Sequence, residues 1–160
     1  MNYPFAVGVE DIPRLREEHA FSGRQLAELR RLAQAGRPQQ CELIWEVFVR
    51  ELARHMQHEE ELFLPAFAKS GFAPDQWASR LRAEHKEILR RCQAIGDQLV
   101  GRAQTAAELG ASLEDLDRQL LEHTEREGLV LYPWLAEIAS SRPPFWRPRL
   151  APLTPALVAP

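Results

Sequence analysis

Two stretches of the sequence carry a histidine followed four residues later by a glutamate, a spacing that places both side chains on one helix face. They are HMQHEEELFLP, with His55 and Glu59, and HTEREGLVLYP, with His123 and Glu127. In both stretches a proline follows the first histidine by ten residues. Imidazole and carboxylate groups together are ligands for iron, manganese and zinc, so the pattern indicates cation binding.

Two further histidines belong to a second internal repeat, in which RLREEH ends at His19 and RLRAEH ends at His85. The chain therefore has the pattern of two related helical hairpins, each with a histidine on its first helix and a His-x-x-x-Glu motif on its second. Residues equally far from the turn of an antiparallel hairpin lie at one height. The midpoint of His19 and His55 is position 37, and that of His85 and His123 is position 104. Both positions lie in segments that break helices, so we expect the motifs at one level.

The elements that must position these residues are four long helices. Glycine and proline break the chain at residues 35–38, 70–74 and 101–105. Between these breaks the apolar spacing predicts helices over about 11–34, 39–68, 75–100 and 105–139. The sequence TAAE, beginning at Thr105, is a capping box that marks the start of the fourth helix. Four amphipathic helices with short connections predict an all-α, antiparallel up-down-up-down four-helix bundle.

The bundle is expected to occupy residues 1–139, and residues 140–160 form a Pro-rich tail. The tail holds six of the twelve prolines, which excludes a helix interior and favours an extended or disordered segment. Its apolar residues allow an alternative, in which it docks on its own bundle, on a second subunit of a homodimer, or on a partner protein. These residues are Phe145, Trp146, Leu150 and Leu157.

The composition describes one ordinary globular domain. A chain of 160 residues with 45% hydrophobic residues is long enough to bury a core. The formal net charge of −3 gives no basic surface for nucleic acid. The sequence has neither a basic leader nor a run of about 18 apolar residues, so we expect a cytoplasmic protein without membrane contact. Cys41 and Cys92 are too few for a disulfide framework.

Four imidazoles and two carboxylates would meet in the core of such a bundle. Burying these groups is costly unless a cation compensates, because imidazole donates a lone pair and carboxylate supplies negative charge. Two carboxylates between two pairs of histidines suit two ions, with the carboxylates bridging them. A lone inward histidine is more often a satisfied core residue, but six ligand-type residues at one height favour a metal site. The predicted ligands are His19, His55, Glu59, His85, His123 and Glu127.

Other titratable residues near these motifs have more ordinary interpretations. Glu18 and Glu84 either orient a histidine or lie at the surface. Glu60 and Arg126 are expected on solvated faces. Cys92 lies on the same stripe as His85 and is expected to be a small buried apolar residue, with a redox-responsive thiol as the alternative.

On these residues the chain resembles the haemerythrin-like (HHE cation-binding) family over about residues 11–139. The specific marks are the EEH and AEH histidines and the two His-x-x-x-Glu motifs that continue into LFLP and VLYP. The resemblance implies a four-helix bundle around a non-haem di-iron centre with an oxo or hydroxo bridge. It assigns His19 and His55 to one iron and His85 and His123 to the other. The bridging carboxylates would be Glu59 and Glu127, and manganese or zinc also suits this ligand set.

The sequence departs from the oxygen carriers of that family at two points. Their fifth histidine, one turn past the first on the third helix, is Leu89 here, and their final acid stands five residues after its histidine rather than four. His58 is the remaining histidine, and we expect it at the rim, with a fifth ligand as the alternative. A missing fifth ligand leaves an open coordination position on both ions.

The resemblance implies a protein that binds or senses oxygen, nitric oxide or iron status, with a small diatomic molecule or peroxide as ligand. An alternative is a di-iron oxidoreductase that acts on peroxide, oxygen or nitric oxide in stress defence. A third hypothesis is a bundle that binds zinc for stability alone. No sequence feature identifies a substrate, so whether the chain is an enzyme stays open.

Overall fold

The computed structural model describes residues 11–74, 76–101 and 105–141, and within those ranges all regular structure is helical. The helices are α1 (Asp11–Gln34), α2 (Pro38–His58), α3 (Leu64–Ser70), α4 (Gln76–Gly101) and α5 (Ala106–Ser141). A π-helical turn, Glu59–Phe63, joins α2 to α3, so these elements form one rod. The four rods confirm the predicted all-α bundle. The predicted tail lies outside the described residues from position 142 onward.

The four rods pack in a square. Helix α1 packs against α2 and α5, while α4 packs against α2, α3 and α5. Rods that follow one another in the sequence are joined by short connections, which makes them antiparallel. Each corner of the square therefore directs one helix face toward a common axis.

Local signals in the sequence end and begin these helices. Gly36 has a φ of +65°, and the Arg37 N–H donates to the Leu32 carbonyl at 3.0 Å, which is the Schellman pattern at the end of α1. At the start of α5, the Glu108 N–H donates to Thr105 Oγ1 at 3.2 Å and the Thr105 N–H donates to Glu108 Oε2 at 2.8 Å. The predicted capping box is therefore present.

Two apolar layers fill the bundle, one at each end. The first apolar layer lies near the α1–α2 turn and includes Leu26, Phe48, Leu52, Met56, Ile88, Cys92 and Leu116. The second apolar layer lies near the α3–α4 connection and includes Leu15, Phe63, Leu64, Phe67, Leu81, Leu131 and Trp134. Each fully buried Leu or Phe contributes about 1.5–3 kcal/mol. The predicted ligands lie between these layers, as His19 does between Leu15 and Leu26 on α1.

Candidate metal centre

All six predicted ligand residues meet between the two apolar layers. Their ligand atoms form two groups in which every atom lies within 4.8 Å of the others. One group is His19, His55, Glu59 and Glu127, and the other is Glu59, His85, His123 and Glu127. Because the two carboxylates belong to both groups, the arrangement is one cluster with two ends.

The histidines form two close pairs, one in each hairpin. His19 Nε2 lies 2.9 Å from His55 Nε2, and His85 Nε2 lies 3.1 Å from His123 Nε2. Two nitrogens that bind one ion at about 2.0–2.1 Å in neighbouring positions are themselves separated by about 3 Å. Each pair therefore has the spacing of two ligands of a single cation.

Glu59 divides its two oxygens between the pairs. Its Oε1 lies 3.5 Å from His55 Nε2, and its Oε2 lies 3.3 Å from His85 Nε2. The carboxylate is 1% exposed, so it faces both pairs without contact with bulk water. This is the placement of a carboxylate that bridges two ions.

Glu127 divides its oxygens in the same way from the opposite corner. Its Oε2 lies 3.1 Å from His19 Nε2, while its Oε1 lies 2.9 Å from His123 Nε2 and 3.7 Å from His85 Nε2. Its side chain is fully buried. Two carboxylates on different rods thus span the same two histidine pairs.

The repeated glutamates that precede His19 and His85 orient the histidines of the neighbouring rod. The His55 Nδ1–H donates to Glu18 Oε2 at 2.8 Å, and the His123 Nδ1–H donates to Glu84 Oε2 at 2.9 Å. Of the two interpretations of these glutamates, the structure therefore favours orientation over a free surface position. A carboxylate on Nδ1 fixes the tautomer and leaves the Nε2 lone pair facing the cluster.

Two partners of the remaining histidines were missed by sequence reasoning. Glu60 keeps contact with solvent, as expected, and also lies against His85, whose Nδ1–H donates to Glu60 Oε1 at 3.0 Å. The Tyr132 hydroxyl lies 3.1 Å from His19 Nδ1. No local sequence signal identifies either contact, because the other hairpin has Gly128 at the place of Glu60 and Leu64 at the place of Tyr132.

Arg126 differs from its predicted place on a solvated face. Its Nε lies 2.8 Å from Glu84 Oε1, and Arg80 Nε lies 3.1 Å from the same oxygen. Burial acts against ionisation of Glu84, but the hydrogen bonds from His123, Arg126 and Arg80 outweigh it and lower its pKa to about 2. Glu84 is therefore a permanent anion beside His123.

Facing lone pairs and buried carboxylates are unfavourable in the cluster, and a bound cation would compensate both. With Nδ1–H used by outer carboxylates, the Nε2 lone pairs of His85 and His123 point at one another across 3.1 Å. Burial acts to lower the pKa of both imidazoles, yet the nearby carboxylates raise the pKa of His85 to about 10 and that of His123 to about 9. The carboxylates therefore strongly favour positive charge at this position, which a metal ion supplies as well as a proton does.

The carboxylates of Glu59 and Glu127 also favour a positive charge inside the cluster. Burial raises the pKa of Glu59, and Glu127 adds to the shift. Burial also acts on Glu127, but His123, His19 and His85 hold the pKa of that carboxyl well below its usual value. All four oxygens of the two carboxylates are buried, and none forms a well-aligned hydrogen bond to a described residue. Such oxygens fit the coordination of a hard or borderline cation.

His58, Leu89 and Cys92, which the sequence analysis considered beside the predicted ligands, lie outside the cluster. His58 lies at the rim, where Arg14 Nη2 donates to His58 Nδ1 at 2.7 Å, so the structure favours the rim position over a fifth ligand. Leu89 packs against the first apolar layer. Cys92 is 1% exposed, and burial raises the pKa of its thiol to about 12, which favours the apolar over the redox interpretation.

A cavity of about 250 Å³ opens beside one end of the cluster, between α1, α2 and α5. His19, His55 and His123 lie on its wall. Most of the remaining wall is apolar or small, with Gly23, Leu26, Leu52, Met56 and Leu120 among its residues. The cavity has room for a small molecule next to the histidines.

Comparison with models of known protein families shows which family the chain resembles. The family model described as the Hemerythrin HHE cation binding domain matches residues 10–135, a range that contains all six cluster residues. Searches of curated proteins and of solved structures found no match. Among the described residues, no helix is long and apolar enough to cross a membrane.

Proposed function

The chain belongs to the Hemerythrin HHE cation binding domain family, and from that premise we propose a metal-binding protein with a non-haem di-iron centre. His19 and His55 would hold one ion, His85 and His123 would hold the other, and the carboxylates of Glu59 and Glu127 would be shared between them. The protein uses this centre to bind or sense oxygen, nitric oxide or iron status. An iron pair supplies redox chemistry and open coordination positions for a small ligand.

The strongest support for a centre with two ions is that each carboxylate directs one oxygen to each histidine pair. Glu59 and Glu127 each place one oxygen toward each histidine pair, at 2.9–3.5 Å from the nearest Nε2. A single ion needs no such division. A zinc site for stability alone would be complete with four ligands, whereas this cluster offers six ligand residues.

The open coordination positions on the proposed ions favour a centre that binds a small ligand over one that only holds metal ions. Each end of the cluster offers two imidazoles and the near oxygens of two carboxylates, and Leu89 contributes no ligand. The cavity of about 250 Å³ lies beside His19 and His55 and is mostly apolar, which suits a small molecule of low polarity. These features are expected of a protein that takes up a diatomic molecule or peroxide.

The proposal is tested by metal content and the optical spectrum of protein purified without oxygen. About two irons per chain are expected, with absorption that changes on exposure to air and recovers with reductant. His55→Ala should lower the iron content, because it removes a ligand. His58→Ala is the matched control and should keep two irons, because His58 bonds Arg14 at the rim.

Other results would separate the alternatives. One zinc per chain with no response to air or reductant would contradict the di-iron proposal. Continuous consumption of peroxide, oxygen or nitric oxide in the presence of a reductant would identify the oxidoreductase instead. A His58→Ala variant that loses iron as His55→Ala does would contradict the assignment of ligands.

A further inference from the structure

The two ends of the cluster do not have the same surroundings, although the sequence repeat is close. After the bridging glutamate of the first hairpin come Glu60 and, four positions later, Leu64. The same places in the second hairpin are Gly128 and Tyr132. The repeat therefore keeps the predicted ligands and changes the residues that support them.

This change gives His19 and His85 different partners at Nδ1. His85 has the Glu60 carboxylate at 3.0 Å, whereas His19 has the Tyr132 hydroxyl at 3.1 Å. Gly128 lies beside the Tyr132 ring, and a Cβ at that position would make ordinary van der Waals contact with two ring carbons at 3.9 Å. The Arg16 guanidinium lies over the Tyr132 ring, 5.3 Å from its centroid.

A carboxylate and a phenol support a metal-binding imidazole unequally. A charged acceptor forms a shorter and stronger hydrogen bond to Nδ1–H and makes Nε2 a better donor. A neutral phenol supplies orientation with little of that electronic effect. At Nδ1, His123 and His85 both have a carboxylate partner, whereas in the other pair only His55 has one.

The His19/His55 end of the cluster is also more exposed to solvent than the His85/His123 end. His85 and His123 are 1% and 2% exposed, while the His19 side chain is 12% exposed. Both His19 and His55 line the cavity of about 250 Å³, but of the other pair only His123 does. Water and small chelators therefore reach the His19 end more readily.

We propose that the two ends hold cations with unequal strength: the His19/His55 position exchanges its ion first, and Tyr132 is the positioning residue that holds His19 there. The His85/His123 position, supported by Glu60 and Glu84, releases its ion more slowly. This inference rests on the proposed function and adds to it a state with one ion per chain. A protein that senses iron status would respond through binding and release of the ion at the His19/His55 position.

The test is the release of iron to a chromophoric ferrous chelator, starting from chains loaded with Fe²⁺ without oxygen. Two phases of one ion each are expected, with rates that differ about 10-fold or more. Tyr132→Phe should speed the fast phase alone. Glu60→Gln should speed the slow phase alone, and Glu61→Gln is its control because Glu61 bonds Gln57 on the outer face instead of a cluster histidine.

The outcomes separate this inference from the proposed function. Fewer than two ions at the start would count against the di-iron centre, whereas two ions that leave in one phase would overturn only the unequal positions. Equal effects of Tyr132→Phe on both phases would assign Tyr132 a general structural role and overturn the inference. Thermal unfolding of the metal-free variants checks that each remains folded during the measurement.

Discussion

The two hairpins carry the same His-x-x-x-Glu motif and the same following proline, yet only the first changes its backbone there. The π-helical turn Glu59–Phe63 separates α2 from α3, and the Leu64 N–H donates to the Glu59 carbonyl. Helix α5 continues through the matching region with Pro133 inside it. Side-chain spacing therefore places the six cluster residues, while the local backbone and single residue changes decide which residues support them.

The largest effects are expected at Glu59 and Glu127, the two carboxylates proposed to bridge the ions, and they test whether the hairpins contribute equally. Glu59→Ala and Glu127→Ala should each reduce the metal content to less than one ion per chain, because each removes a ligand from both ends. Glu127 has the shorter contacts, 2.9 and 3.1 Å against 3.3 and 3.5 Å, so its variant should lose more. Elemental analysis after anaerobic loading measures this. Two ions retained by either variant would refute bridging.

The second apolar layer offers a matched pair of core residues from the two hairpins. Phe63 and Leu131 occupy the same place in the repeat, and both are 1% exposed. Phe63→Ala should lower the free energy of unfolding by about 3–5 kcal/mol and Leu131→Ala by about 2–5 kcal/mol, since each leaves a cavity. Urea unfolding of the metal-free chain measures both. A loss below about 1 kcal/mol would mean that the layer repacks freely.

Glu18 and Glu84, the glutamates of the other repeat, are expected to affect metal affinity unequally at the two ends of the cluster. Glu84→Gln removes the charge behind His123 and should weaken binding at that end about 10–100-fold. Glu18→Gln should have a smaller effect at the His55 end, because the arginines beside Glu18 are more distant, at 3.5 and 4.0 Å. Competition with a chelator of known affinity measures both.

Glu87→Gln is the control for these variants. Glu87 lies on the outer face of α4, where it pairs with Arg90 and Arg91 and touches no cluster histidine. Its substitution should leave metal affinity unchanged. If Glu84→Gln behaved like this control, the charge behind His123 would have no part in holding the ion.

The smallest effect is expected on the free energy of unfolding when the N-terminal cap of the second helix of each hairpin is changed. Helix α5 has the Thr105 capping box, whereas α2 follows Arg37, which forms no side-chain cap. Thr105→Ala should cost about 1 kcal/mol of unfolding free energy, and Arg37→Ala should cost close to nothing. Equal losses in urea unfolding would mean that the capping box contributes no more than an uncapped start.

Much of this architecture follows from the sequence because helical spacing is a strong signal. The predicted first helix has the bounds of α1, Asp11–Gln34, and the height comparison brought the six cluster residues to one level. Both depend on periodicity and turn residues, which are local properties of the chain.

The supporting residues could not be read in the same way. Glu60 follows Glu59 directly, and in a regular helix the next residue turns about 100° away, so a solvated position was expected. The π turn was not visible in the sequence, and it accompanies the approach of Glu60 to His85. Tyr132 reaches His19 from another rod, and such a contact depends on helix packing that no local pattern specifies.

The most direct test is anomalous X-ray diffraction from crystals of the iron-loaded chain, recorded on both sides of the iron absorption edge. Two iron peaks are expected, separated by about 3.5–4 Å, one between His19 and His55 and the other between His85 and His123. Both should lie within bonding distance of Glu59 and Glu127. A single peak, or peaks away from these side chains, would contradict a centre with two bridged ions.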